Sequence, residues 1–181
     1  MNLCVYGAAS NKIDKIYIEK TEQLGKHMAR QSIGLVFGAG ANGLMGACAR
    51  GAYSENGKII GIVPRFFTGD GIRFEKCTET IFTDTMRERK KLMEEMSCGF
   101  IIAPGGIGTL DEFFEIFTLQ NLNQHQKAVA IYNINGFYDT MLKMLRELVE
   151  KGFLAEKAVE RLIVSDDPEE LIEKINAFKY E

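Results

Sequence analysis

The residues with the most chemistry to offer stand together in Pro104-Gly105-Gly106-Ile107-Gly108-Thr109-Leu110-Asp111-Glu112. The apolar run Phe100-Ile101-Ile102-Ala103 precedes them, and a periodic apolar pattern begins near Thr109, so the glycines form a strand-to-helix turn. Gly105, Gly106 and Gly108 let the backbone approach a ligand closely. Free N–H groups at a helix start, with the helix dipole behind them, favour an anion such as phosphate. Thr109 can cap the helix or turn its hydroxyl toward the same anion. A plain tight connection is the alternative, and it has little need of three glycines and a hydroxyl. Asp111 and Glu112 both complement the dipole of the first helical turn. Glu112 also shares a helix side with Thr109, three positions earlier. One helical turn rises about 5.4 Å, which is roughly the reach from a 5′-phosphate to the anomeric carbon of its ribose. The spacing therefore suits a carboxylate acting on a sugar whose phosphate is held by the turn.

A second residue stands out by its position. On the helix expected over Thr85–Met96, the apolar residues Met86, Met93 and Met96 are spaced for one face, and Arg89 falls on it. A cation on an inward face needs a partner, and an anionic ligand, a catalytic carboxylate or a structural salt bridge would each serve. Gly38-Ala39-Gly40-Ala41-Asn42-Gly43 matches the dinucleotide fingerprint G-x-G-x-x-G. It follows the second strand instead of the first, and Val63-Pro64-Arg65 stands where a ribose-binding acid is required. Close packing around a nucleotide is the better reading, and no cofactor is expected.

These residues must be positioned by the elements between them. Strands are expected at Leu3–Tyr6, Gly34–Phe37, Lys58–Val63, Gly99–Ala103 and Ala128–Tyr132, with one more near Glu79–Phe82. Helices are expected at Asp14–Gln31, Gly43–Glu55, Thr85–Met96, Thr109–Leu122 and Phe137–Lys151, with a short one after Pro168. The stretch Arg65–Thr83 is otherwise irregular. Continuous apolar strands alternating with helices indicate an α/β fold. The expectation is a Rossmann-like, doubly wound parallel sheet flanked by helices, with residues 1–181 as one domain. Ligands of such sheets bind beyond the carboxyl ends of the strands, which selects the turns Gly7–Ser10, Gly38–Gly43 and Pro104–Thr109.

Composition narrows the function class. The sequence is 46% hydrophobic and 26% charged, a globular profile. Its net charge of 22 − 25 = −3 gives no basic stripe for a nucleic acid polymer. No apolar run approaches the ~18 residues that span a bilayer, and the N-terminus lacks a signal peptide's charged n-region. Cys4, Cys48, Cys77 and Cys98 are scattered, and His27 and His125 stand alone, so neither a metal site nor a disulfide framework is indicated. A cytoplasmic protein is expected. On the helix after Pro104, Leu110, Phe113, Phe114, Phe117 and Asn121 form one stripe, while Ile116 and Leu119 lie opposite. A helix apolar on both sides is covered on both sides, so a homodimer is expected, with dense core packing as the alternative.

Taken together, these segments resemble the LONELY GUY family of cytokinin riboside 5′-monophosphate phosphoribohydrolases. Pro104 to Glu112 matches the family's P-G-G-x-G-T-x-x-E in full, and Met86-Arg87-Glu88-Arg89-Lys90 matches its M-x-E-R-K. Gly43-Leu44-Met45-Gly46 matches the G-L-M-G turn, and Gly152-Phe153 matches a G-F near the end. The family commonly has C-G-S-S at Gly7-Ala8-Ala9-Ser10 and G-G-G at Gly38-Ala39-Gly40, so this chain departs there. The resemblance implies a Rossmann-like homodimer that hydrolyses the N-glycosidic bond of a nucleoside 5′-monophosphate, releasing a cytokinin or adenine and ribose 5-phosphate. It places catalytic roles on Arg89 and Glu112 and phosphate binding on Gly105, Gly106, Gly108 and Thr109. Ser10, Gly40, Met86 and Lys90 complete the expected substrate-binding set. Two other readings stay open: a non-catalytic nucleotide- or molybdenum-cofactor-binding carrier on the same fold, and the lysine decarboxylase label the family has often carried.

Overall fold

A computed structural model describes residues 1–67 and 72–180. Residues 68–71, within the irregular stretch expected over Arg65–Thr83, lie outside the described residues. The strands are β1 (Asn2–Tyr6), β2 (Gly34–Phe37), β3 (Ile59–Pro64), β4 (Glu79–Thr83), β5 (Gly99–Ile102), β6 (Ala128–Tyr132) and β7 (Ile163–Ser165). The helices are α1 (Lys15–Arg30), α2 (Gly43–Ser54), α3 (Met86–Glu95), α4 (Ile107–Asn121), α5 (Asp139–Glu150), α6 (Glu156–Glu160) and α7 (Pro168–Ala177).

All the strand pairings are parallel, in the order β4-β3-β2-β1-β5-β6-β7. Alternate side chains of the buried strands leave the sheet in opposite directions. Leu3, Val5, Leu35, Phe37 and Ile101 pack with α1, α2 and α7, while Cys4, Tyr6, Val36, Phe100 and Ile102 pack with α3, α4 and α5. Burial on both faces is why the strands read as continuous apolar runs. Successive strands run outward from β1 to β4 on one side and from β5 to β7 on the other. The switch point therefore falls between β1 and β5, where adjoining loops splay apart and leave a crevice.

The structure differs from expectation in three places. First, α6 and the three-residue strand β7 were not foreseen, being too short to show a period. Second, α4 starts at Ile107 with Gly106 as its N-cap, so Thr109 is not the cap. Third, the inward face of α4 is Thr109, Phe113, Ile116, Phe117 and Gln120. Ile116 thus belongs to the core, while Leu110 and Phe114 are half-buried. Among the described residues, no helix is long and apolar enough to cross a membrane.

Candidate active site

The loops after β1, β2 and β5 are tied together at the switch point. Ala8 N–H donates to Pro104 O at 3.1 Å, and Leu44 N–H donates to Ala8 O at 2.8 Å. The loop after β2 is fastened to the β3–β4 connection, with Ala41 N–H donating to Ile72 O and Phe74 N–H to Ala39 O. Between these loops and the starts of α3 and α4 lies a cavity of about 570 Å³, a volume typical of small-molecule sites.

The two glycine-rich turns present their helices differently. At α2, Gly43 N–H donates to Asn11 Oδ1 at 3.0 Å and Leu44 N–H to Ala8 O. The first amides of α2 thus have partners within the chain, which counts against a dinucleotide pyrophosphate at the G-x-G-x-x-G turn. At α4, Gly106 supplies no side chain to cap the helix, and Gly106, Gly108 and Thr109 line the cavity. An added Cβ on Gly106 or Gly108 would meet no protein atom within 4 Å. The open helix start therefore faces the crevice, where an anion gains most from amides and dipole.

Arg89 and Glu112 meet beside this turn. Arg89 is the buried cation of α3, and Glu112 projects from the first turn of α4. Arg89 Nη1 lies 3.6 Å from Glu112 Oε1, and the side chains are 9% and 12% exposed. Arg89 Nε donates to Ile62 O at 3.2 Å, so the end of β3 orients the guanidinium. Burial pushes the Glu112 carboxyl up to about 7, against the lowering pull of Arg89. Desolvation disfavours the charged form, and here it exceeds the ion pair. A carboxyl that titrates near neutrality is suited to accepting a proton from water.

Of the residues expected at the site, Ser10, Gly40, Met86, Arg89, Gly106, Gly108, Thr109 and Glu112 line the cavity. Gly105 and Lys90 do not. Gly105 lies behind the turn, where a Cβ would stand 2.5 Å from the Cβ of Thr109. Lys90 Nζ pairs with Asp111 Oδ2 at 3.1 Å and also with Glu115, so it braces α3 against α4. Met45 and Val63, quoted only within motifs, and Phe67, Ile72 and Arg73, which the sequence did not single out, also line the cavity. None of the five carries a local sign of contact with a ligand, and Phe67, Ile72 and Arg73 fall in the irregular stretch between β3 and β4. Among the described residues, no three His, Cys, Asp or Glu side chains cluster as metal ligands would.

The parallel sheet, the switch-point cavity and the open helix start define a Rossmann-like protein with a small-molecule site. The family model described as "Possible lysine decarboxylase" matches residues 45–175. The chain is 33% identical over 176 residues to a probable cytokinin riboside 5′-monophosphate phosphoribohydrolase of Oryza sativa subsp. japonica, covering 97% of this chain and 72% of the relative. It is 34% identical over 163 residues to a cytokinin riboside 5′-monophosphate phosphoribohydrolase of Arabidopsis thaliana, covering 90% and 76%. In fold it is similar to the molybdenum cofactor carrier protein of Chlamydomonas reinhardtii, with TM-score 0.74, 18% identity and 98% of each chain covered. The chain belongs to the LONELY GUY family.

Proposed function

We propose that this protein hydrolyses the N-glycosidic bond of an adenosine 5′-monophosphate, plain or N6-modified, to the free base and ribose 5-phosphate. The observation that carries the reading is the buried Arg89–Glu112 pair standing one helical turn from an uncapped, glycine-lined helix start. The substrate phosphate sits at the amides of Gly106 to Thr109, which places the ribose toward Glu112. As the C1′–N bond breaks, its electron pair leaves on the base and positive charge builds on the ribose. The Glu112 carboxylate stabilises that charge and accepts a proton from the water whose oxygen joins C1′. The water's two hydrogens end on the anomeric hydroxyl and on the base, so the reaction balances. Arg89 orients Glu112 and the substrate.

The apolar wall of Met45, Val63, Phe67 and Ile72 suits the base and an apolar substituent on it. We further propose a homodimer. Ile107 is 82% exposed, and with the half-buried Leu110 and Phe114 it makes an outward apolar stripe on α4 that a second copy would cover. Sedimentation equilibrium tests this, and a monomer at micromolar concentration overturns it.

The decisive assay incubates the purified protein with AMP and with isopentenyladenosine monophosphate and chromatographs the products. Release of free base and ribose 5-phosphate supports the reading. Tight nucleotide binding without release favours the carrier. A lysine decarboxylase would employ a Schiff-base lysine on pyridoxal phosphate, and none of the described cavity-lining residues is a lysine.

A further inference from the structure

The G-x-G-x-x-G turn at Gly38–Gly43 lines the cavity, but it presents no free helix start, since the first amides of α2 are taken by Asn11 and Ala8. Its first glycine faces the guanidinium of Arg89. A Cβ built on Gly38 would overlap Arg89 Nη2 and stand 2.8 Å from Cζ, inside any real carbon contact. The guanidinium cannot easily withdraw. Its Nε is fixed on Ile62 O at 3.2 Å, and its Nη1 lies 3.8 Å from Met86 Sδ and 3.6 Å from Glu112 Oε1. Every nitrogen of the group thus faces a named neighbour, and the neighbour of Nη2 is the bare α-carbon of Gly38.

We propose that Gly38 is a positioning residue for the hydrolysis, its missing side chain forming the slot that holds Arg89 against Glu112. In a dinucleotide site the first glycine of the run serves the tight turn and the second lets the backbone approach the pyrophosphate. In this chain the first glycine instead leaves room for a guanidinium from the protein itself, and through it the turn serves the active site. The inference rests on the roles given above to Arg89 and Glu112.

Displacing Arg89 has an electrostatic consequence at Glu112. That carboxyl is faced by Arg89 and Lys90 from α3, by Asp111 and Glu115 on its own helix, and by Tyr6 and Cys4 from β1. Arg89 is the foremost of the groups that lower its titration. Without it in place, burial and the neighbouring carboxylates are opposed mainly by Lys90, and Glu112 holds its proton to higher pH.

The test is Gly38→Ala, read by infrared titration of carbon-13-labelled glutamate, with Glu112→Gln identifying the band. The Glu112 transition moves upward by about 1–3 pH units, the range an opposite charge at this distance commands. The acid limb of kcat moves with it, and kcat at pH 7 falls about fivefold for the first unit, from a half-ionised carboxyl, and about tenfold more for each further unit. Adding Gly38→Ala to Arg89→Ala changes neither quantity further. An unshifted titration, or losses that multiply in the double variant, overturns the proposal. If Gly38→Ala fails to fold, Gly38→Ala/Arg89→Ala recovers a folded circular dichroism spectrum because the overlap is gone, and failure to recover overturns it as well. If the natural protein hydrolyses no nucleotide, the proposed activity falls, while the Glu112 titration still decides the role of Gly38.

Discussion

Arg89 and Glu112 face each other from α3 and α4 at 3.6 Å, and the next residue on α3, Lys90, reaches Asp111, the residue before Glu112, at 3.1 Å. Two neighbouring positions on one helix are thus joined to two neighbouring positions on the other. The inner pair is buried. In the outer pair Asp111 is 64% exposed and reaches solvent. This arrangement sets the distance between guanidinium and carboxylate through the packing of two helices.

The first prediction concerns pH. With Glu112 titrating at about 7, its base form grows through neutrality, so kcat/KM for AMP rises with pH along an acid limb centred near 7. Glu112→Gln removes that limb and lowers kcat by about 10²-fold or more, the usual contribution of a positioned base. A variant with near-normal kcat and the same limb would displace Glu112 from the mechanism.

The same carboxyl predicts a stability effect of opposite sign. In the unfolded chain it titrates near its ordinary 4.5, and in the folded protein near 7. Between those values the folded state binds more protons, so its contribution to stability is full below pH 4.5 and is lost as pH rises through 7. Glu112→Gln lacks this dependence. Its unfolding free energy therefore exceeds that of the natural protein by a margin that grows from pH 5 to pH 8, to no more than about 3 kcal/mol. Urea unfolding at the two pH values measures the margin, and a constant difference would mean that Glu112 is not desolvated.

Why Glu112 behaves in this way was beyond the sequence, although its candidacy was not. Residue type and spacing singled out Pro104 to Glu112 and Arg89 because phosphate binding and charge burial impose local patterns. The parallel sheet was legible for a similar reason, since strands buried on both faces read as unbroken apolar runs. Tertiary quantities left no such trace. The depth of Glu112 depends on β1 and α3, and the apolar cavity wall gathers Met45 from α2, Val63 from β3, and Phe67 and Ile72 from the β3–β4 connection. On α4 the apolar residues cover more than one face, so their period alone could not orient the helix, and Ile116 was placed outward when it packs on the sheet. Lys90 was expected in the substrate-binding set, and its two carboxylate partners, Asp111 and Glu115, lie on another helix, where no local pattern announces them.

Lys90 supplies the third prediction. Its ammonium group pairs with Asp111 and Glu115, not with the cavity. Lys90→Met leaves the AMP dissociation constant within about threefold, a change of less than 1 kcal/mol, and lowers kcat by loosening α3 against α4. The stability loss stays below about 1 kcal/mol because both carboxylates are partly solvated. Lys90→Arg, which can bridge the same two acids, restores kcat. Calorimetric titration with AMP separates the alternatives: a large rise in dissociation constant with kcat unchanged would make Lys90 a substrate ligand after all.

The glycines of the turn after β5 differ in what surrounds them, and this separates folding from binding. A side chain on Gly105 would overlap Thr109 Oγ1 and crowd its Cβ at 2.5 Å, whereas one on Gly108 meets nothing within 4 Å. Gly105→Ala therefore destabilises the protein by pushing on the buried Thr109. Gly108 lies within the first turn of α4 and is exposed, so Gly108→Ala loses no packing and gains helix propensity of up to about 1 kcal/mol. A gain of that size raises Tm by about 2–4 °C in a chain of this length. The new methyl group nonetheless occupies the approach to the helix amides, where the phosphate is proposed to sit. Its dissociation constant for AMP rises about tenfold or more, a loss of at least 1.4 kcal/mol. A variant that melts higher and binds AMP as tightly as the natural protein would remove the phosphate from this turn, and with it the geometry that brings the ribose to Glu112.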